Sequence, residues 1–266
     1  AVDLSGRTTD LRLGVETADA LLAGEGTVAL RAVRDEAGFR IEDATVATIA
    51  LTGSGAANLS SEASDGRFDL VLDDAQRVLE GVPGPAQVTG TFTNSVADGL
   101  SITAAASLPG GRADFTATRA ADEEVTQLAL TGTIPDLSAF ARAAGLGLAG
   151  VADLTLDGTF GPGGLADLTL AAQTAGLAVG VPVADLLLAG EGTVAAQVSR
   201  DGAGVLHIGG LRIVTDRVEA GGSATLAASI DATIEMRIAD TAGLYPGLSG
   251  PATLQGTVSR MDTGDM

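Results

Sequence analysis

Apolar and polar side chains alternate along most of this chain, in runs broken by clusters of Gly, Asp and Pro. Strict alternation is the signature of a strand with one face buried and one solvated. Val28, Leu30 and Ala32 share one face, while Thr27, Ala29 and Arg31 share the other. Arg34-Asp35-Glu36-Ala37-Gly38 then reads as a turn into a strand through Phe39 and Ile41, with a Gly where a positive φ is needed. Ile49 and Leu51 continue the apolar face, and Phe68, Leu70 and Leu72 alternate with Arg67, Asp69 and Val71. The scheme carries on through Val88 and Phe92, Ile102, Phe115, Leu128 and Leu130, and Leu154 and Leu156. Gly161-Pro162-Gly163-Gly164 is a turn, after which Leu168 and Leu170 return on the same face. Val194 and Val198 precede a hairpin turn at Arg200-Asp201-Gly202. Ile230, Ala232, Ile234, Met236 and Ile238 form the most regular run. The expected class is all-β, a mainly antiparallel sheet.

Three segments depart from the period of two. Asp73 to Gly81 and Asp136 to Gly145 each have an acidic start and a Gly stop, and read as one or two helical turns. Asp240 to Gly247 is a weaker copy. Each precedes a Gly-rich link and then a strand.

The chain also repeats itself. Ala18-Asp19-Ala20-Leu21-Leu22-Ala23-Gly24-Glu25-Gly26-Thr27-Val28-Ala29 returns at Ala184 to Ala195 with one mismatch, Ala20 against Leu186. The offset, 192 minus 26, is 166, and Gly84-Pro85-Ala86 meets Gly250-Pro251-Ala252 at the same offset. Residues 18–92 thus match 184–258, and each copy of the twelve-residue stretch reads as the opening strand of a module. One flaw remains: the offset places Ile41 on His207, although alternation puts Ile41 inside and His207 outside. The second copy therefore needs a shifted turn or a bulge.

Composition narrows the classes. An apolar fraction of 45% argues against disorder despite 37 glycines, and aromatics are only 3%. Small aliphatics suit a long uniform face better than a core built around large anchors. There is no Cys, which removes disulfides and thiolate metal sites. A net charge of −19 disfavours nucleic acid and keeps an apolar β-protein in solution. No run reaches the ~20 apolar residues of a membrane-spanning helix. The start at Ala1 without Met suggests a single repeat segment, 1–266, of a longer protein.

Successive strands with one apolar face must hide it. They can form a sandwich, close into a barrel, or fold one long sheet into a U whose groove holds an apolar partner. The uniform aliphatic face leans towards the groove. The strands ending in Gly-Thr-Phe or Gly-Thr-Val, the Asp136-Leu137-Ser138-Ala139-Phe140-Ala141 segment and the spacing from Leu148 to Leu154 resemble the TamB family of AsmA-like, periplasm-spanning proteins. The resemblance covers most of the chain but rests on loose apolar spacings. It implies a U-shaped groove, the β-taco, conducting phospholipid acyl chains towards the outer membrane. It also implies a periplasmic location, an inner-membrane anchor outside this segment, and an outer-membrane barrel partner of the insertase type met through regions outside it.

Catalytic chemistry has little to work with. The one histidine, His207, alternates like an outward residue, so a triad built on it is disfavoured. Asp73-Asp74 and Glu123-Glu124 are adjacent pairs whose side chains diverge on a strand or turn. Gly161 to Gly164 lacks the Lys of a phosphate loop. The expectation is a non-enzyme without cofactor or metal. The residues expected to line the groove are Val28, Leu30, Phe39, Ile41, Leu70, Leu72, Phe92, Phe115, Leu128, Leu130, Leu154, Leu156, Leu168, Leu170, Val194, Ile234, Met236 and Ile238. The alternative is an extracellular structural or adhesin repeat with these side chains packed in a closed core.

Overall fold

The computed structural model describes residues 1–261, apart from positions 13, 15, 35, 37, 228, 243, 245 and 246. The described residues are all-β, with sixteen strands and a few short helices. The chain divides into two units, Ala1–Glu123 and Glu124–Met266. In the first, β1 (Val2–Thr9), β2 (Glu25–Arg34), β3 (Phe39–Thr48), β4 (Leu51–Leu59), β5 (Ala63–Leu72), β6 (Ala86–Ser95), β7 (Gly99–Leu108) and β8 (Gly111–Arg119) pair antiparallel, each with its neighbour in sequence. In the second, β9 (Thr126–Ile134), β10 (Ala149–Phe160), β11 (Ala166–Ala178), β12 (Glu191–Arg200), β13 (Leu206–Thr215), β14 (Val218–Leu226), β15 (Ser229–Ile238) and β16 (Ala252–Met261) do the same. Among the described residues neither unit returns its last strand to its first. Both are open meanders, not barrels.

In an antiparallel meander alternate connections lie at the same end of the sheet. The first unit's β1–β2 and β5–β6 connections carry α1 (Glu16–Leu21) and a 3-10 turn, Ala75–Arg77. Both therefore cap one end of the strands. The packed core sits there: Leu22, Leu51, Leu72, Ala75 and Ala86 are buried together, with Leu21, Val46, Leu70 and Leu108 against them. The second unit places α2 (Ala141–Ala144), with the 3-10 turn Leu137–Phe140, and α3 (Pro182–Leu188) at the corresponding end, where Ala152, Leu187 and Val218 are buried.

The helical starts at Asp74 and Asp136 follow from capping, because each carboxylate accepts a backbone N–H two residues on. α2 stops at Gly145, whose φ of 65° is cheap only for glycine. The expected turn at Asp240 is partly described: Asp240 accepts from Ala242 N–H, while Gly243, Tyr245 and Pro246 lie outside the described residues. Asp35 and Ala37 of the first hairpin turn lie outside them too. Ile49 does not extend a strand; it stands 71% exposed in the β3–β4 turn.

The repeated stretch is not a strand throughout. Ala18–Leu21 belongs to α1 and Ala184–Leu188 to α3, and the strands begin only at Glu25 and Glu191. Pro182 at the first turn favours α3, and the Asp185 carboxylate takes the N–H groups of Val179 and Gly180 at 2.7 and 3.2 Å. Asp19 likewise accepts from Gly14 at 3.2 Å.

The flaw in the repeat resolves at a turn. Arg34 pairs with Phe39, whereas Arg200 pairs with Leu206, so the second copy's turn holds one extra residue. Ile41 therefore corresponds to Ile208, and His207 faces outward. Bulges follow at matched places, between Ile41 and Ala44 and between Ile208 and Leu211. The original offset returns at the next hairpin, where Leu59 and Ala63 flank one residue more than Leu226 and Ser229 do.

Candidate functional site

Directly paired residues of an antiparallel sheet point to the same side, so the registers assign every strand position to a face. In the first unit Leu30 pairs with Leu4 and Ala44, Val28 with Val46, Phe39 with Leu59 and Ile41 with Ala57. Leu70 joins Gly53 to Val88, Leu72 joins Leu51 to Ala86, Phe92 joins Gly66 to Ile102, and Ala104 meets Phe115. These side chains share one face. In the second unit Leu128 and Leu168 flank Gly158, Leu130 and Leu170 flank Leu156, and Leu154 lies between Gly132 and Ala172. Val194 pairs with Ala172 and Ile213, and Ile234, Met236 and Ile238 face Gly256, Leu254 and Ala252. Each unit thus gathers its share of the expected residues on one apolar face.

Their burial differs. Leu72, 6% exposed, belongs to the packed end and is closed to any ligand. Phe39 and Ile234 are 51% and 46% exposed, and the other expected residues are half-buried. Val2, Leu4, Phe160, Leu254 and Val258, on the same face, are exposed as well. Much of the apolar face lacks a covering layer.

Glycines and phenylalanines interlock at the centre of that face in the first unit. Gly66 pairs with Phe92 and Gly90 with Phe68. A Cβ on Gly66 would fall 2.6 Å from the Phe92 ring, and one on Gly90 would fall 2.6 Å from Phe68 Cζ. Each ring lies over the glycine opposite, flattening the surface.

The other face is polar. Arg31 pairs with Glu42 at 3.1 Å and Arg212 with Glu219 at 2.7 Å, both exposed contacts that stabilise little. A recess of about 640 Å³ lies over this face in the first unit, bordered by Asp43, Arg67, Asp69, Thr91 and Asp114. One of about 1010 Å³ in the second is bordered by Arg212, Glu219, Glu235 and Gln255. No charged side chain is buried in either.

His207 sits on the polar face, its Nε2 3.8 Å from the Asp201 carboxylate and its Nδ1 3.4 Å from the Thr225 hydroxyl. Asp74 is a cap, not half of a dyad: it accepts from Gly84 at 3.0 Å and Gln76 at 3.1 Å, bonds that hold its carboxyl below the usual range. Asp240 binds Ala242 and Gly250 in the same way and is lowered for the same reason. Among the described residues no three His, Asp or Glu side chains converge as a metal site.

A repeated tie escaped the sequence reading. Thr48 donates to the Leu21 carbonyl at 2.8 Å and accepts from Ala50 and Leu51 N–H; Thr215 donates to the Leu187 carbonyl at 2.7 Å and accepts from Arg217 and Val218 N–H. The two threonines are 167 apart, 215 minus 48, so the extra turn residue hides their equivalence at offset 166.

No family model, curated protein or solved structure matches this chain.

Proposed function

We propose that the apolar face is the working surface, and that it holds lipid acyl chains in a groove made by curling the sheet across its strands. The observation that carries this reading is the half-exposed apolar face running from strand to strand in each unit, with the packed cluster of the first unit gathered at one end of its strands. Such a surface in water must be covered, because exposed contiguous apolar patches beyond a few hundred Å² mark binding sites. Its lining of Leu, Ile, Val, Ala and Phe lacks directional polar groups. That chemistry suits alkyl chains, each buried methylene adding about 0.8 kcal/mol. In this reading the chain is a periplasmic segment of a TamB-like, bridge-like lipid carrier that passes phospholipid towards an outer-membrane barrel partner. The polar face and the charge of −19 keep the outside solvated. A closed-core adhesin repeat is less well supported, since it would bury Phe39, Phe160 and Ile234.

Native mass spectrometry of the chain, purified from bacteria without detergent, tests this. Diacyl phospholipid bound to the folded chain is the expected result, and lipid-free chain with the same exposed face would overturn it.

A further inference from the structure

The repeat supplies an internal control for the apolar face. At offset 166, Phe68 and Phe92 fall on Ile234 and Val258, and Gly66 falls on Ala232. The pairings are the same in both copies: Gly66 with Phe92 and Phe68 with Gly90 in the first unit, Ala232 with Val258 and Ile234 with Gly256 in the second. One register thus forms with rings or with branched aliphatics, so the ladder itself does not call for the rings. In the first unit Phe115 adds a third ring, in one row across the strands with Gly55, Phe68, Gly90 and Ala104. Three of the chain's six phenylalanines therefore gather on a floor of glycine and alanine, each of them half-buried.

We infer that this floor selects a fused-ring lipid of the sterol or triterpenoid class over a free acyl chain, an inference that rests on the reading of the apolar face as a lipid surface. A Cβ on Gly66 would fall 2.6 and 2.8 Å from Cε1 and Cζ of Phe92, so that ring lies across the glycine instead of standing between side chains. Phe68 lies across Gly90 in the same manner. Phe68 and Phe115 are three strands apart, about 14 Å, with only Gly90 and Ala104 between them in the row. A rigid plate laid there touches rings and floor at once, and it has no chain rotors to freeze. A flexible acyl chain gives up rotor freedom on binding, and it follows the ridges between branched side chains, such as those at Ile234 and Met236, equally well. The two copies thus share a lipid-holding face and differ in the shape of lipid that fits it.

Titration with two fluorescent probes, the sterol cholestatrienol and the acyl chain cis-parinaric acid, tests this on the intact chain. The variant combines Gly66→Ala, Phe68→Ile and Phe92→Val, giving the first unit the residues that the second already carries at the same register. The native chain is expected to bind both probes. The variant keeps the acyl probe and loses sterol affinity about tenfold, the effect of two aromatic contacts removed. Phe115→Leu, outside both Phe–Gly pairs, repeats the comparison should the combined variant melt early, with a smaller loss confined to the sterol. Sterol binding undiminished in both variants, or equal loss of the two probes, would overturn the inference. A native chain that takes the acyl probe and refuses the sterol would overturn it too, while leaving the lipid surface in place. A native chain that binds neither would overturn both.

Discussion

Phe92 lies over Gly66, its direct partner across β5 and β6, and two residues along β5 Phe68 lies over Gly90 in return. The rings fit because both glycines lack a Cβ, which would also meet the carbonyl oxygens of Ala56 and Thr103 at 2.8 and 2.6 Å. Gly66→Val and Gly90→Val should each cost about 1–3 kcal/mol through overpacking against a backbone that cannot yield. Gly256→Ala, with open space around it, should cost far less. Thermal unfolding followed by circular dichroism separates the two classes; equal losses at all three positions would show that the Phe–Gly contacts do not matter.

The threonine ties predict matched effects in the two copies. Thr215→Val removes the donor to the Leu187 carbonyl and the acceptor for two N–H groups, and Thr48→Val does the same at Leu21. Each should destabilise its unit by about 1–3 kcal/mol through groups left unpaired. Serine should restore most of the loss at either site, as chemical denaturation would register.

Alternation in β5 was enough to place Phe68, Leu70 and Leu72 on one face. It could not tell that Leu72 lies under a packed cap while Leu70 stands half-open, because local periodicity names a face and not what covers it. α1 and α3 were missed for a related reason: Ala-Asp-Ala-Leu-Leu-Ala is a good helix former, but its identity with the second copy drew it into the strand that follows. Thr48 and Thr215 stayed hidden behind one residue inserted in a hairpin turn. The Asp74–Gly84 and Asp240–Gly250 bonds span a loop whose closure only the fold reveals.

Acid should weaken the chain in a defined window. The Asp74 carboxylate is lowered from 3.8 chiefly by the Gly84 N–H, and Asp240 from 3.8 chiefly by the Ala242 N–H. Both favour the charged form in the folded state. Their contribution is complete above the unfolded value and disappears as pH falls through the lower folded values. The melting temperature should hold between about pH 5 and 7 and decline below about pH 4. Asp74→Asn with Asp240→Asn should melt lower at pH 7 and decline less steeply in acid. Some decline remains, because Asp136 and Asp201 are lowered as well. An unchanged acid profile in the double variant would remove these caps from the account.

A charge on the apolar face should have opposite consequences at two leucines. Leu156→Asp, at a half-buried position between Leu130 and Leu170, should keep the strand content and lose bound lipid. Leu72→Asp, inside the packed end, should cost several kcal/mol and unfold the first unit, since an unpaired charge would be buried there. Circular dichroism with lipid extraction on the same samples reads both effects, and full lipid retention in Leu156→Asp would count against the groove.

The most direct test uses the alternation itself. A photoreactive benzophenone side chain replaces Leu156 on the apolar face or its neighbour Thr155 on the polar one, and chains irradiated in bacteria are weighed intact. The account predicts a phospholipid adduct at 156 and none at 155. Equal labelling at the two positions, or no lipid adduct at either, would contradict it.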